Sequence, residues 1–289
     1  MESLMSQIRK DWGKITEKDE LDILYHHYNI GRYFCIFWIV YYLGGVLVIV
    51  GLPAFPIIFD HLFPLANGSH ARIIVVRTDY IFFDGDEYYY ESCFHLSSVI
   101  LLDMVMVCGQ DPMYFMCIMH TRGLFDILSY KLQSKLRIIL EETRHLPDPD
   151  IQGLRNHLKE LVIMHNEAIR NCILIEKMYS VGNMVVIFLF LLQMPCLLFI
   201  SLYVIDLSRA LQWTPVSVGS FFYMAFNFWI GQQIIDYSEG VSKAVYFGDW
   251  LSLRREERAY MRLIILRSQR SCQLTLGKFV VLSLETYKK

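Results

Sequence analysis

Apolar and polar positions along this chain are grouped in long blocks rather than alternating residue by residue. Three stretches carry no charged side chain at all: Tyr33 to Phe59 (27 residues), Ser180 to Ile205 (26) and Ala210 to Ile235 (26). A helix rises about 1.5 Å per residue and the hydrocarbon core of a bilayer is about 30 Å thick, so about 20 apolar residues suffice to cross it. Each stretch therefore predicts a spanning helix. A fourth segment, Ser92 to His120, reads FHLSSVILL, MVMVCGQ and PMYFMCIM around Asp103 and Asp111. It has the apolar length for a span if one carboxylate is held inside or at an end. The pattern predicts an all-α, multi-pass membrane helical bundle with spans at about 33–58, 92–118, 180–205 and 212–235.

Between the second and third spans the apolar residues recur at helical spacing. Leu124, Leu128, Leu132, Leu136 and Ile139 form one series, and Ile151, Leu154, Leu158, Leu161, His165 and Ile169 another. HLPDPD at 145–150 separates them, because Pro147 and Pro149 interrupt helix hydrogen bonding and Asp150 can cap the next start. Two amphipathic helices result, each continuing a membrane helix out of the bilayer. After the fourth span the pattern goes on through Ala244, Trp250, Leu251, Met261, Ile264 and Ile265, with RREER at 254–258 expected to be a solvated turn or helix face. The final stretch, Leu274 to Tyr287, turns apolar again; at 14 residues, interrupted by Lys278 and Glu285, it is too short to span and reads as the start of another membrane-directed helix.

Charge adds an orientation. Of the 27 Lys and Arg side chains, 24 fall in 1–32, 121–179 and 236–289, and three, Arg72, Arg77 and Arg209, in the alternate loops. Basic residues flanking spans are retained on the cytoplasmic side, so both ends and the 121–179 segment are expected inside and the 60–91 loop outside. That outer loop contains the sequon Asn67-Gly68-Ser69, a glycosylation acceptor that is meaningful only on that side. Met1 to Arg32 is polar and has no apolar core of a signal peptide. Composition agrees with a membrane protein: 54% hydrophobic, 19% charged and a mean hydropathy of +0.34, which excludes a soluble globular domain. A net charge of −2 says nothing about nucleic acid, and no basic run with interleaved aromatics suggests it. The seven cysteines are scattered, with only Cys93 near the outer face, so no structural disulfide is expected.

No HExxH, CxxC, GxSxG, Walker A or GxGxxG pattern occurs, so an enzyme is not expected, nor a cofactor or metal. The adjacent His26 and His27 share no helical face at ligand spacing and are expected to be structural or on the surface. Asp103 at bilayer depth costs roughly 2.5–3.5 kcal/mol on insertion scales, so it calls for a polar partner: Ser97, Ser98, a neighbouring helix, or a ligand or ion path. Aromatic residues crowd the first and fourth spans, from Phe34 to Tyr42 and from Trp213 to Trp229. They suit interfacial belts and helix packing, with a minority available to line an apolar pocket for a small lipophilic molecule.

The motifs then form a series. Ser238-Glu239, Ala244-Val245-Tyr246, Asp249-Trp250, Arg267-Ser268-Gln269-Arg270 and Leu274-Thr275-Leu276-Gly277-Lys278-Phe279, leading to Leu282-Ser283-Leu284-Glu285-Thr286, closely resemble the end of insect odorant receptors. Asp11-Trp12, Glu20-Leu21 and Gly31-Arg32 look like the approach to that family's third helix. Pro64-Leu65, Phe82-Phe83-Asp84, Tyr88-Tyr89-Tyr90, Asp111, His120 and Gly123-Leu124-Phe125 look like its second extracellular loop and fourth helix, especially in the ant, bee and wasp expansion. Pro112 and Arg122 depart from the common Thr and Cys.

The resemblance covers essentially all 289 residues, as one odorant receptor-like membrane domain whose cytoplasmic anchor parts are 121–179 and 236–289. It implies an odorant-binding subunit of a ligand-gated cation channel in the plasma membrane of olfactory sensory neurons. The implied partners are a small volatile odorant, a co-receptor in a hetero-tetramer and membrane lipid. Tyr246, Asp249, Trp250, Gly277, Lys278 and Phe279 would be anchor positions. By depth in the outer half of the bilayer, Phe94, His95, Ser98, Leu102, Phe221, Phe222 and Met224 would face the odorant. Matched to the third to sixth of seven helices, the chain is expected to be a partial receptor that carries no odour-evoked current alone or with the co-receptor. The alternatives are a non-conducting truncated membrane protein, a gustatory receptor-like protein and a G-protein-coupled chemoreceptor, the last requiring the opposite orientation.

Overall fold

A computed structural model describes residues 2–63, 88–144, 151–203 and 207–288. Asn67, most of the 60–91 loop and the HLPDPD break lie outside the described residues. The elements are α1 (Glu2–Lys14), α2 (Lys18–Leu62), α3 (Tyr89–Tyr130), α4 (Leu136–Arg144), α5 (Ile151–Tyr203), α6 (Leu207–Phe247), α7 (Arg258–Ser268), β1 (Thr275–Leu276), β2 (Val280–Val281) and α8 (Leu284–Lys288). The described residues are all-α apart from one short antiparallel hairpin.

Three helices, over Lys18–Pro56, Tyr89–Glu141 and Ile151–Phe199, are long and apolar enough to cross a membrane. The most apolar part of each is almost entirely unburied by the protein itself, as expected where lipid is the neighbour. The fourth uncharged stretch lies within α6. At 53 residues α5 is about 80 Å long, more than twice a hydrocarbon core, so a span and a polar extension form one continuous rod. The predicted continuation of the second span likewise holds: α3 runs unbroken to Tyr130 and then, through a single π-helical turn at Lys131–Lys135, into α4.

The described residues form two compact units, 31–115 and 1–30 with 116–289. In unit 31–115, α2 and α3 run antiparallel. The Phe34 and Phe115 rings pack at 4.4 Å, the Cys35 thiol donates to the Pro112 carbonyl (3.6 Å), Tyr42 meets Asp103, and the buried Tyr89 hydroxyl donates to the Pro53 carbonyl (2.9 Å). The Pro53 and Pro112 carbonyls thus each receive a side-chain donor, which suits a low-dielectric setting.

The other unit holds the core that the helical spacing predicts. Leu124, Leu128, Leu132, Leu136, Leu158, Leu161, His165 and Ile169 are all buried. Gly248, just past α6, lies against α3's continuation, where a Cβ would come 2.6 Å from the Leu132 carbonyl oxygen.

Two expectations are corrected. Leu274 to Tyr287 is not one nascent helix: it forms the β1–β2 hairpin, and helix begins only at Leu284. Gly277 (φ 58°) and Lys278 (φ 70°) both adopt positive φ, and Phe279 N–H donates to the Leu276 carbonyl (3.0 Å), a pair of conformations that turns a hairpin and cannot continue a right-handed helix. RREER is a turn, but not simply a solvated one. Glu257 is buried and accepts from Arg155 Nε (2.9 Å), Glu256 also pairs with Arg155, and Arg258 Nε closes the turn on the Leu253 carbonyl (2.7 Å).

Candidate ligand and subunit-contact sites

Phe94, His95, Ser98 and Leu102 stand on the first half of α3, in unit 31–115. Phe94 is 77% exposed, His95 and Leu102 are exposed, and the Ser98 hydroxyl donates to the Phe94 carbonyl one turn back (2.8 Å). Phe221, Phe222 and Met224 stand on α6, in the other unit. The first two rings meet edge-on at 6.3 Å, and Phe221 also packs on Tyr287 of α8 at 6.0 Å. Both groups present apolar surface outward, since Phe221 and Phe222 are exposed as well.

Further along α3, Asp103 finds the partner its depth called for. Tyr42 of α2 donates to Asp103 Oδ2 at 2.7 Å, so the neighbouring helix, and not Ser97 or Ser98, provides the hydroxyl. A typical intramolecular hydrogen bond contributes about 0.5–1.5 kcal/mol, whereas replacing both partners by apolar groups of similar shape is nearly neutral. Tyr42→Phe is therefore expected to lower the melting temperature of the detergent-solubilised protein, and Tyr42→Phe with Asp103→Leu to restore it. An unchanged melting temperature for Tyr42→Phe alone would contradict this role.

The positions expected to be anchors fall in two places, the polar end of α6 and the hairpin. Tyr246 (73% exposed) and Phe247 (76%) pack edge to face at 5.7 Å and point outward. Asp249 accepts the Ser252 hydroxyl (2.9 Å) ahead of the short turn begun by Trp250. Gly277 and Lys278 form the hairpin turn, and Phe279 at its exit is 85% exposed. Leu251, close in sequence to Tyr246 and Phe247, is exposed as well, so large apolar side chains remain uncovered at the polar end of α6.

Polar contacts also hold this unit together. Asp11 of α1 is buried and accepts from His120 Nε2 (3.1 Å), Asn171 Nδ2 (3.1 Å) and Gln7 Nε2 (2.9 Å). Burial opposes its ionisation, but these hydrogen bonds and the charge of His120 outweigh it and hold the carboxyl below its ordinary value. At the start of α2, buried Glu20 pairs with buried Lys131 (3.0 Å) and with Lys135 (3.3 Å), and Lys135 also binds Glu17. His27, expected to be structural or superficial, is structural: it is buried and bonds Asp126 at 2.8 Å. Lastly, burial and the nearby Arg267 charge push His165 down to about 4, so its ring, beside Ser268, is neutral at physiological pH.

Sequence reasoning did not find Tyr42, Asn171, Arg155 or Glu176 as structural residues, since each acts through a partner about 60 to 160 positions away. Among the described residues no cluster of three or more His, Cys, Asp or Glu is arranged to hold a metal ion.

Long apolar helices with polar extensions define this chain as a polytopic helical membrane protein. The 7tm odorant receptor family model matches residues 1–289, and the chain belongs to that family. Comparison with curated proteins gives no significant match. Among solved structures, the chain is similar to the insect olfactory receptor OR5 from Machilis hrabei in complex with eugenol, at 12% identity and a TM-score of 0.64, covering 92% of this chain and 65% of that one. A second structure of that receptor matches at 13% identity and a TM-score of 0.64, covering 90% and 63%. The chain thus spans about two thirds of that receptor's length, and the likeness shows a shared fold.

Proposed function

We propose that this chain is the odorant-binding part of a receptor subunit that, with a co-receptor in a hetero-tetramer, forms an odour-gated cation channel in the plasma membrane of olfactory sensory neurons. The observation that carries the reading is the odorant receptor family match along all 289 residues. The similar Machilis receptor, solved with eugenol, is compatible with a small lipophilic ligand here. In this reading the 60–91 loop with Asn67 is extracellular, and the basic 121–179 and 236–289 segments are cytoplasmic, in keeping with the charge asymmetry.

Phe94, His95, Ser98, Leu102, Phe221, Phe222 and Met224 are the proposed odorant-facing residues. Binding there would be governed by apolar burial at roughly 25 cal/mol per Å², making shape more discriminating than polarity. Tyr246, Asp249, Trp250, Gly277, Lys278 and Phe279 are the proposed subunit-contact residues. The uncovered Tyr246 and Phe279 side chains suit an apolar interface.

The test is to express the complete reading frame containing these residues with a co-receptor in oocytes and apply an odorant panel. An odorant-dependent cation current is expected. Surface-expressed subunits that stay silent across the panel, beside a responding reference receptor, would favour the non-conducting alternative.

A further inference from the structure

Arg122 and Asp126 stand one turn apart on α3, at the spacing where a guanidinium and a carboxylate on one helix ordinarily meet. Here each turns to a different helix. Arg122 Nη2 donates to the Tyr237 hydroxyl of α6 (2.6 Å), and the guanidinium carbon lies 4.3 Å from the centre of that ring. Asp126 Oδ2 accepts from His27 Nε2 of α2 (2.8 Å), and the buried His27 ring meets Tyr237 edge to face at 5.8 Å. The tie to α2 is closely packed, since a Cβ on Gly123 would lie 2.9 Å from Leu24 Cδ1. The tie to α6 is incomplete. Arg122 Nε is buried without a hydrogen-bond partner, and among the described residues no carboxylate lies within ion-pair distance of the guanidinium.

We propose that Arg122 is a positioning residue that exchanges partners: bound to Tyr237 it ties the polar end of α6 to α3, and bound to Asp126 it releases α6 while α2 stays attached. This inference is independent of the odorant-binding reading. In the second arrangement Arg122 Nε–H donates to Asp126 Oδ1, the carboxylate oxygen that His27 leaves open. The buried donor then gains an acceptor and the His27 bond is kept.

What is given up is the bond to the Tyr237 hydroxyl and the hold of its ring on the cation. An ion pair within one helix, a cation over an aromatic face and a single hydrogen bond are of comparable strength, so neither arrangement dominates by a wide margin. That balance is what a two-position element requires. Tyr246 lies further along the same helix, so the exchange governs how firmly that exposed end of α6 is held.

The experiment reads hydrogen exchange of residues 234–247 by mass spectrometry in the full chain, solubilised in detergent. Asp126→Asn keeps an acceptor for His27 but no charge for Arg122, and is expected to slow exchange there about twofold by favouring the Tyr237 arrangement. Tyr237→Phe keeps the ring and removes the hydroxyl, and is expected to speed exchange about threefold or more. Arg122→Met should speed it as well, and adding Asp126→Asn to Arg122→Met should change nothing further. Damage to the fold speeds exchange, so slowing in Asp126→Asn has no such origin. Unchanged or faster exchange in Asp126→Asn would overturn the proposal, as would slowing that persists beside Arg122→Met. So would a Tyr237→Phe chain that exchanges no faster than wild type.

Discussion

Gly231→Ala is expected to destabilise the protein by about 3 kcal/mol or more, the upper end of what overpacking usually costs. A Cβ at this position on α6 would lie 2.5 Å from the Leu282 Cβ and 2.8 Å from its carbonyl carbon, and closer still to its oxygen. The obstacle is backbone, and it cannot simply retreat. Leu282 is buried, its N–H donates to the Leu274 carbonyl (2.8 Å), and Leu284 N–H donates to Gln232 Oε1 (3.1 Å) next to the glycine. Relieving the clash means detaching the hairpin and α8 from α6. Gly240→Ala is the matched control, since nothing lies within 4 Å of its Cβ position and alanine gains roughly 1 kcal/mol of helix propensity there. Thermal unfolding in detergent, with limited proteolysis of the C-terminal segment, should show a large loss for the first variant and none for the second. Equal melting temperatures would mean that the Gly231–Leu282 approach is not a constraint.

Asp11→Ala is expected to cost about 1–3 kcal/mol for each buried donor left without its acceptor. The substitution leaves His120 Nε2 and Asn171 Nδ2 without their acceptor at a site where both residues are buried. It also loosens the stacking of Trp12 on His120, whose rings lie 6.5 Å apart and nearly parallel. The same carboxylate predicts a pH dependence. Its folded pKa is depressed, so its stabilising contribution is complete above the unfolded value of about 3.9 and is lost as pH falls through the lower folded value. Hydrogen exchange of residues 2–14 reads this directly. Acidification below about pH 4 should raise exchange of α1 in the wild type, whereas Asp11→Ala should exchange fast already at neutral pH. Slow α1 exchange in the variant at neutral pH would show that something else docks the helix.

The Gly231 contact concerns a short piece of chain, and this piece is where sequence and structure part. As a one-dimensional pattern, Leu274 to Tyr287 is an apolar run with two charges, and periodicity cannot tell a helix from a turn in so short a stretch. The outcome was decided by the Glu176 carboxylate, the Ser180 carbonyl and the groove left by Gly231, contributed by residues about 50 to 100 positions away. Arg155 and Glu257 make the same point, since the run RREER has no feature that marks one of its glutamates as buried. A weak signal did exist on α5, where Glu176 and Ser180 stand one turn apart, but its meaning depends on the strand laid against it.

The sequence by itself determined the helical spans, the continuity of membrane helices with polar extensions and the buried leucine series, because these follow from local spacing and from the length of apolar segments. It also carried the family, since the C-terminal motifs are contiguous strings of residues. Only the tertiary structure decided that Tyr42 answers Asp103, that Asp11 knots α1 to α3 and α5, and that the apolar tail folds into a hairpin. Each of these is a pairing between side chains or backbone groups remote in sequence. A buried polar group takes whichever partner the fold brings within about 3 Å, and spacing along the chain does not encode that distance.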